Sequence, residues 1–107
     1  MKKMYNERAE ITINRFEDES IDLVITSPPY NVRLGENNNS NTKYDIYVDD
    51  LPYEDYINWL SKIFEAIFSK LVFGGRVVIN IGDGKNGHIT TSSDIIQFMK
   101  HIGFIPM

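Results

Sequence analysis

Six consecutive residues carry most of the chemistry this chain can offer: Thr26-Ser27-Pro28-Pro29-Tyr30-Asn31. The Ser27 hydroxyl can accept a hydrogen bond. The Pro28 carbonyl stands on a stiff backbone, because Pro29 has a fixed φ and no N–H beside it. Tyr30 offers an aromatic face with a polar tip. Two acceptors next to a stacking ring suit a planar group that carries an amine. A nucleobase extruded from a duplex is such a group, held by stacking and by hydrogen bonds to its edge. The plainer alternative is a strand-ending turn in which Tyr30 only packs.

The element that must position these groups lies just before them. Ile21, Leu23, Val24 and Ile25 form a short apolar, largely β-branched run. The run predicts a strand buried on both faces. Pro28 and Pro29 cannot donate to a ladder, so the strand must stop by Ser27. The turn is thereby delivered to the carboxyl edge of a sheet, where open α/β folds bind ligands.

Thr26-Ser27-Pro28-Pro29-Tyr30 resembles the catalytic motif of the DNA amino-methyltransferases, which methylate the exocyclic amine of cytosine (N4) or adenine (N6). The resemblance implies that Ser27 Oγ and the Pro28 carbonyl accept hydrogen bonds from the target amine. It implies that Tyr30 stacks on the flipped base and that S-adenosylmethionine is the cofactor. Serine at the first motif position is more usual in N4-cytosine enzymes, so cytosine N4 is the preferred target and adenine N6, in DNA or RNA, the alternative. On the cofactor side, the family's acidic contact to the cofactor adenine, upstream of the motif, points to Glu7 or Glu10, with a plain surface role as the alternative, and Thr26 is a further cofactor candidate. Leu71-Val72-Phe73-Gly74-Gly75-Arg76-Val77-Val78 and Tyr56-Ile57-Asn58-Trp59-Leu60 also look like segments downstream of the motif in this family. The implied architecture is α/β, a partial Rossmann-like S-adenosylmethionine-dependent methyltransferase fold. About three parallel strands and two main helices are expected.

The remaining elements follow from periodicity. Ile11 and Ile13 alternate with Thr12 and Asn14, a short strand-like signal, and Glu17 to Glu19 read as a solvated turn. Residues 31–50 form a long polar connection with Asn37, Asn38, Asn39, Ser40 and Asn41, expected to be a flexible loop. Asn31 and its basic residues Arg33 and Lys43 are the candidate substrate contacts. Next comes the clearest helix, with Asp50 as N-cap, Pro52 in its first turn and Glu54 and Asp55 at the positive end of the dipole. Tyr53, Tyr56, Ile57, Leu60, Ile63, Phe64, Ile67, Phe68 and Leu71 give its apolar stripe, and Gly74-Gly75 its left-handed stop. Trp59 lies off the stripe. Arg76–Ile81 is a second buried strand, completing a right-handed βαβ unit. Gly82-Asp83-Gly84-Lys85-Asn86-Gly87 fits a dinucleotide fingerprint literally. A real one opens a helix on its glycines, whereas here His88, Ile89 and Thr90 intervene, so a plain loop is expected. A last helix starts at Thr91 or Ser92 with Asp94 in a capping box, carries Ile95, Phe98, Met99 and Ile102 inward, and stops at Gly103. Phe104 and Ile105 then read as a new strand.

Composition sets the limits. The 107 residues make one domain, incomplete as a methyltransferase, and their lack of cysteine excludes a disulfide framework or a thiolate metal site. It also argues against the C5-cytosine methyltransferases, which use a thiolate. No apolar run approaches the ~18 residues of a membrane span, and a cytoplasmic location is expected. The net charge of −4 opposes free-standing DNA binding, so most phosphate contacts are expected from elsewhere. No Phe-x-Gly-x-Gly loop for the cofactor is found, and about 26 residues precede the Pro-Pro turn. The expected partners are therefore DNA in the complete enzyme and a missing C-terminal half. Self-association of a non-catalytic fragment through its open sheet edge is the other reading.

Overall fold

The computed structural model describes residues 2–29, 31, 51–84 and 89–107. A short helix α1 (Ala9–Thr12) runs into a 3-10 turn (Ile13–Arg15). Strand β1 (Ile21–Thr26), helix α2 (Tyr53–Lys70), strand β2 (Leu71–Ile79) and helix α3 (Thr91–Ile102) follow. The two strands pair in parallel. This is the expected βαβ unit, because parallel neighbours need a crossover and a helix packed on the sheet supplies it.

Helix α2 is the spine of the core. Tyr56, Leu60, Phe64 and Ile67, spaced by four, four and three, are its buried residues. They meet Ile13, Leu71 and Ile95, with Val24, Val77 and Ile79 packed against the cluster. Phe98 on α3 lies 6.1 Å from Phe64, ring centre to ring centre. Pro52 holds the N-cap position with φ −49°, a value that its ring favours, and its carbonyl takes the Tyr56 N–H at 3.0 Å. The expected cap, Asp50, lies outside the described residues.

Register explains how β1 meets β2. Val24 faces Val77 and Thr26 faces Ile79 on the helix side, while Leu23 faces Arg76 and Ile25 faces Val78 on the other. That second face is open: Leu23 and Val78 are 52% exposed and Ile25 72%. The strand is therefore buried on one face only. Both long helices share one sheet face, and nothing among the described residues covers the opposite one. Between Ile21 and Leu23 the partner advances from Leu71 to Arg76. The extra residues bulge out, with Gly74 at φ 81° and Phe73 fully exposed. A Cβ on Gly75 would stand 2.9 Å from the Val72 carbonyl.

Several expectations are corrected. Ile11 and Ile13 sit in a helical turn, since bonds from Ile11 N and Thr12 N to the Arg8 carbonyl begin a helix before any alternation can pair. The glycine pair does not end α2. Leu71, at φ −75° and ψ 143°, passes from helix straight into strand, and the glycines form the bulge inside β2. The sheet among the described residues has two strands instead of about three. Phe104 starts no strand: its N–H returns to the Met99 carbonyl at 3.0 Å, and its ring packs edge-on against Phe68 at 4.9 Å. Gly103 stops α3 as expected, at φ 132°. The capping box does not form either. Asp83 Oδ1 accepts the Ser92 N–H at 2.8 Å in place of a local cap, and Asp94 is taken by Tyr53.

No helix among the described residues is long and apolar enough to cross a membrane. Leu60→Ala should destabilise the fold by about 3 kcal/mol through an unfilled cavity. Ile25→Thr on the open face should change stability by less than about 0.5 kcal/mol. Urea unfolding of both variants checks the assignment of the two sheet faces.

Candidate active site

The catalytic candidates are placed by the last turn of the ladder. Asn80 N–H donates to the Thr26 carbonyl at 2.9 Å, the final bond along β1. Ser27 follows and is exposed, Pro28 is buried and Pro29 half-buried. The burial of Pro28 turns the chain while leaving Ser27 at the rim. A groove of about 700 Å³ runs along β1 between α1 and α2, and Thr26, Ser27, Pro28 and Pro29 form one end of its wall. Its remaining wall is mostly apolar, with Trp59, Leu60, Ile63 and Phe64 from α2. That volume falls within the range of small-molecule sites.

The turn is tied to α2. Tyr56, fully buried, donates its hydroxyl to the Pro29 carbonyl. Asn31, at φ 61°, donates from Nδ2 to the Leu51 carbonyl and accepts the Leu51 N–H at Oδ1, both at 2.8 Å. Tyr30, Arg33 and Lys43 lie outside the described residues, as do His88 and the rest of 85–88.

The two acidic candidates differ in setting. Glu7 pairs with Arg15 through both guanidinium contacts, at 2.6 and 3.0 Å, and accepts the Thr12 hydroxyl at 2.9 Å. The Arg15 guanidinium holds its carboxyl below the usual range. Glu10 borders the groove. It accepts from Arg8 Nε at 3.1 Å and from Trp59 Nε1 at 3.3 Å. Partial burial pushes its carboxyl up, but its own backbone N–H, Trp59 and Arg8 together hold it below the ordinary value. Glu10, Thr26 and Ser27 are thus brought to one groove, while Glu7 is committed to Arg15.

The loop after β2 contributes a second polar group. Gly84 and Ile89 pair through two 3.0 Å bonds, and α3 opens only at Thr91. Gly82 and Gly84 therefore open no helix. Tyr53 donates to Asp94 here. Burial, reinforced by Asp94, pushes the Tyr53 phenol up to about 12. Asp83 is held below its ordinary value by the Ser92 N–H. Among the described residues no cluster of three His, Asp or Glu stands at metal-binding spacing.

A family model described as DNA methylase matches residues 21–106, from the first residue of β1 to the end of the segment after α3. The chain belongs to this DNA methylase family. The two strands and three helices among the described residues form a partial methyltransferase fold. The type II methyltransferase M.MjaVI of Methanocaldococcus jannaschii is 35% identical over 89 residues, 81% of this chain and 42% of that protein. The type II methyltransferase M.BglII of Bacillus subtilis is 28% identical over 109 residues, 99% of this chain and 27% of that protein. The chain spans less than half the length of either relative.

Tyr56 and Tyr53 were legible only as stripe residues of α2. The signal for more was the hydroxyl itself, since a buried tyrosine usually finds a hydrogen-bond partner. Tyr53 also sets a pH dependence for this DNA methylase segment. Its folded pKa lies above the ordinary value near 10, so the stabilisation is complete below pH 10 and is lost as pH rises towards 12. Tyr53→Phe should flatten this alkaline loss, read as unfolding midpoints between pH 8 and pH 11.5.

Proposed function

We propose that this chain forms the base-binding, catalytic-motif part of a DNA methyltransferase that modifies the exocyclic amine of a flipped cytosine at N4. The observation that carries the reading is the position of the Ser-Pro-Pro turn. It ends β1 at the carboxyl edge, with Ser27 exposed at the groove, within the region matched by the family. Ser27 Oγ and the Pro28 carbonyl accept hydrogen bonds from the amine, and Tyr30 stacks on the base. Holding the amine in line, and favouring the positive charge that develops on its nitrogen, lowers the barrier without a protein nucleophile. Arg33 and Lys43 stand next in the chain as contacts to the nucleic acid, and Asn31, whose amide is engaged with Leu51, stands between them and the turn.

S-adenosylmethionine supplies an electrophilic methyl group when bound. The groove fits its adenosine end: an apolar wall with Trp59, the Glu10 carboxylate at the rim, and Thr26 and Ser27 at the far end. Glu7, held by Arg15, supports the α1 segment that carries Glu10. The wider assembly supplies the rest of the cofactor site and most phosphate contacts, as the chain's net charge of −4 requires.

The test is transfer of a labelled methyl group from S-adenosylmethionine to duplex DNA by an enzyme containing this chain, followed by nucleoside analysis. N4-methylcytosine is expected, with Ser27→Ala and Tyr30→Ala each lowering the rate by about 10²-fold or more. N6-methyladenine would select the adenine alternative, and modification of RNA in place of DNA would select an RNA enzyme. Unchanged turnover in both variants would remove the assigned roles. A second reading is favoured by the two-stranded sheet among the described residues, open at its edges and along the face of Leu23, Ile25 and Val78: an inactive segment that folds by self-association through its open sheet edge, with that face covered in the process. Sedimentation showing a dimer with no methyl transfer would support it.

A further inference from the structure

We propose that Tyr56 and Asn31 are positioning residues that hold the Ser27-Pro28-Pro29 turn in one geometry at the carboxyl edge of β1. The inference deepens the methyltransferase reading and rests on it for its catalytic meaning. The ladder stops holding the chain at Thr26, whose carbonyl takes the Asn80 N–H at 2.9 Å. Two prolines follow and bring no backbone donors of their own. Among the described residues, two side chains anchor the turn beyond that point.

The first is Tyr56. Its ring belongs to the apolar stripe of α2, with the rings of Tyr53 and Trp59 at 6.5 and 6.3 Å. For packing alone a phenylalanine would serve. The hydroxyl lies in a fully buried position, where a polar group without a partner costs about 1–3 kcal/mol, and it is directed at the Pro29 carbonyl.

The second is Asn31. Its φ of 61° lies in the left-handed region, which asparagine enters more readily than most residues. For backbone conformation alone a glycine would serve. The amide instead closes a reciprocal pair with both backbone groups of Leu51, immediately before the Pro52 cap of α2. Positions 20 apart in the chain are thereby held side by side. The turn is fastened at Thr26 by Asn80 just after β2, at Pro29 by α2 and at Asn31 by the lead into α2. Three anchors from three segments leave little freedom to pivot, and such pre-organisation is what the positioning of a reacting amine demands.

The test uses variants that delete only the polar atoms. Tyr56→Phe keeps the ring, Asn31→Gly keeps the left-handed backbone, and Asn31→Asp restores the acceptor for the Leu51 N–H. Amide exchange and resonance positions are read by NMR on this chain. Asn31→Gly should speed Leu51 exchange about tenfold, with Asn31→Asp retaining most of the protection. Both Tyr56→Phe and Asn31→Gly should shift or broaden the Ser27 amide resonance while Leu60 and Phe64 stay protected. Leu51 exchange within about twofold of wild type in Asn31→Gly would overturn the proposal. An unmoved Ser27 resonance in both variants would do the same, as would loss of protection at Leu60 and Phe64, which would mark a role in folding alone. These readouts need no turnover, so failure of methyl transfer in the wild type would count against the functional reading and leave the two anchors to be judged by exchange. In an enzyme that does turn over, kcat should fall in both variants with the cofactor KM held. An unchanged kcat would overturn the positioning role.

Discussion

A chain that runs into two consecutive prolines leaves its ladder, and the carbonyls it carries past that point must find donors elsewhere. The rest of this structure is arranged around that constraint. Strand β1 can end at a defined residue because the Asn80 N–H closes its last carbonyl. The next anchored carbonyl, that of Pro29, is met by a hydroxyl buried in the stripe of α2. The helix that covers the sheet is therefore the same element that fixes the turn, and packing and site geometry are coupled through Tyr56.

The βαβ unit has one finished side and one unfinished side. Helices α2 and α3 lie on one face and share the Phe64–Phe98 contact, and the whole buried cluster is found there. The opposite face carries Leu23, Ile25 and Val78 in the open. An isolated two-stranded sheet is marginal in water, and a parallel one is normally covered on both faces. The stability of this segment therefore rests on the α2 stripe far more than on the ladder. The groove beside β1 and the exposed face follow from the same economy of strands.

Electrostatics organises the edges in place of the core. Glu7 and Arg15 fasten the turn after α1, and Lys70 reaches Asp18 at 3.0 Å where the chain enters β1. Both pairs are solvent-facing and worth little individually. At the carboxyl edge, Asp83 caps α3 from outside the helix, and Asp94 is freed to receive Tyr53. The acidic residues here act as acceptors for helix ends and hydroxyls, in keeping with a segment whose net charge does not itself attract a phosphate backbone.

The sequence by itself determined the features written in local pattern. Proline chemistry required β1 to stop by Ser27, and it ends at Thr26; the three-and-four spacing of Tyr56 to Ile67 named the buried face of α2, and Gly103 marked the end of α3. Each depends on residues adjacent in the chain, so no fold was needed to read them. Only the tertiary structure decided what depends on distant neighbours. An apolar run does not reveal how many of its faces will be covered, so β1 was expected buried on both and is buried on one. The pair Gly74-Gly75 suits a helix stop and a bulge equally, and pairing with Ile21 and Leu23 selected the bulge. Ile11 and Ile13 alternate too briefly to choose between strand and helix, and packing of Ile13 against α2 chose the helical turn. The partners of Tyr56, Asp94 and Asn31 lie 27, 41 and 20 positions away. A side chain's hydrogen-bonding capacity is local information, but its partner is set by the fold.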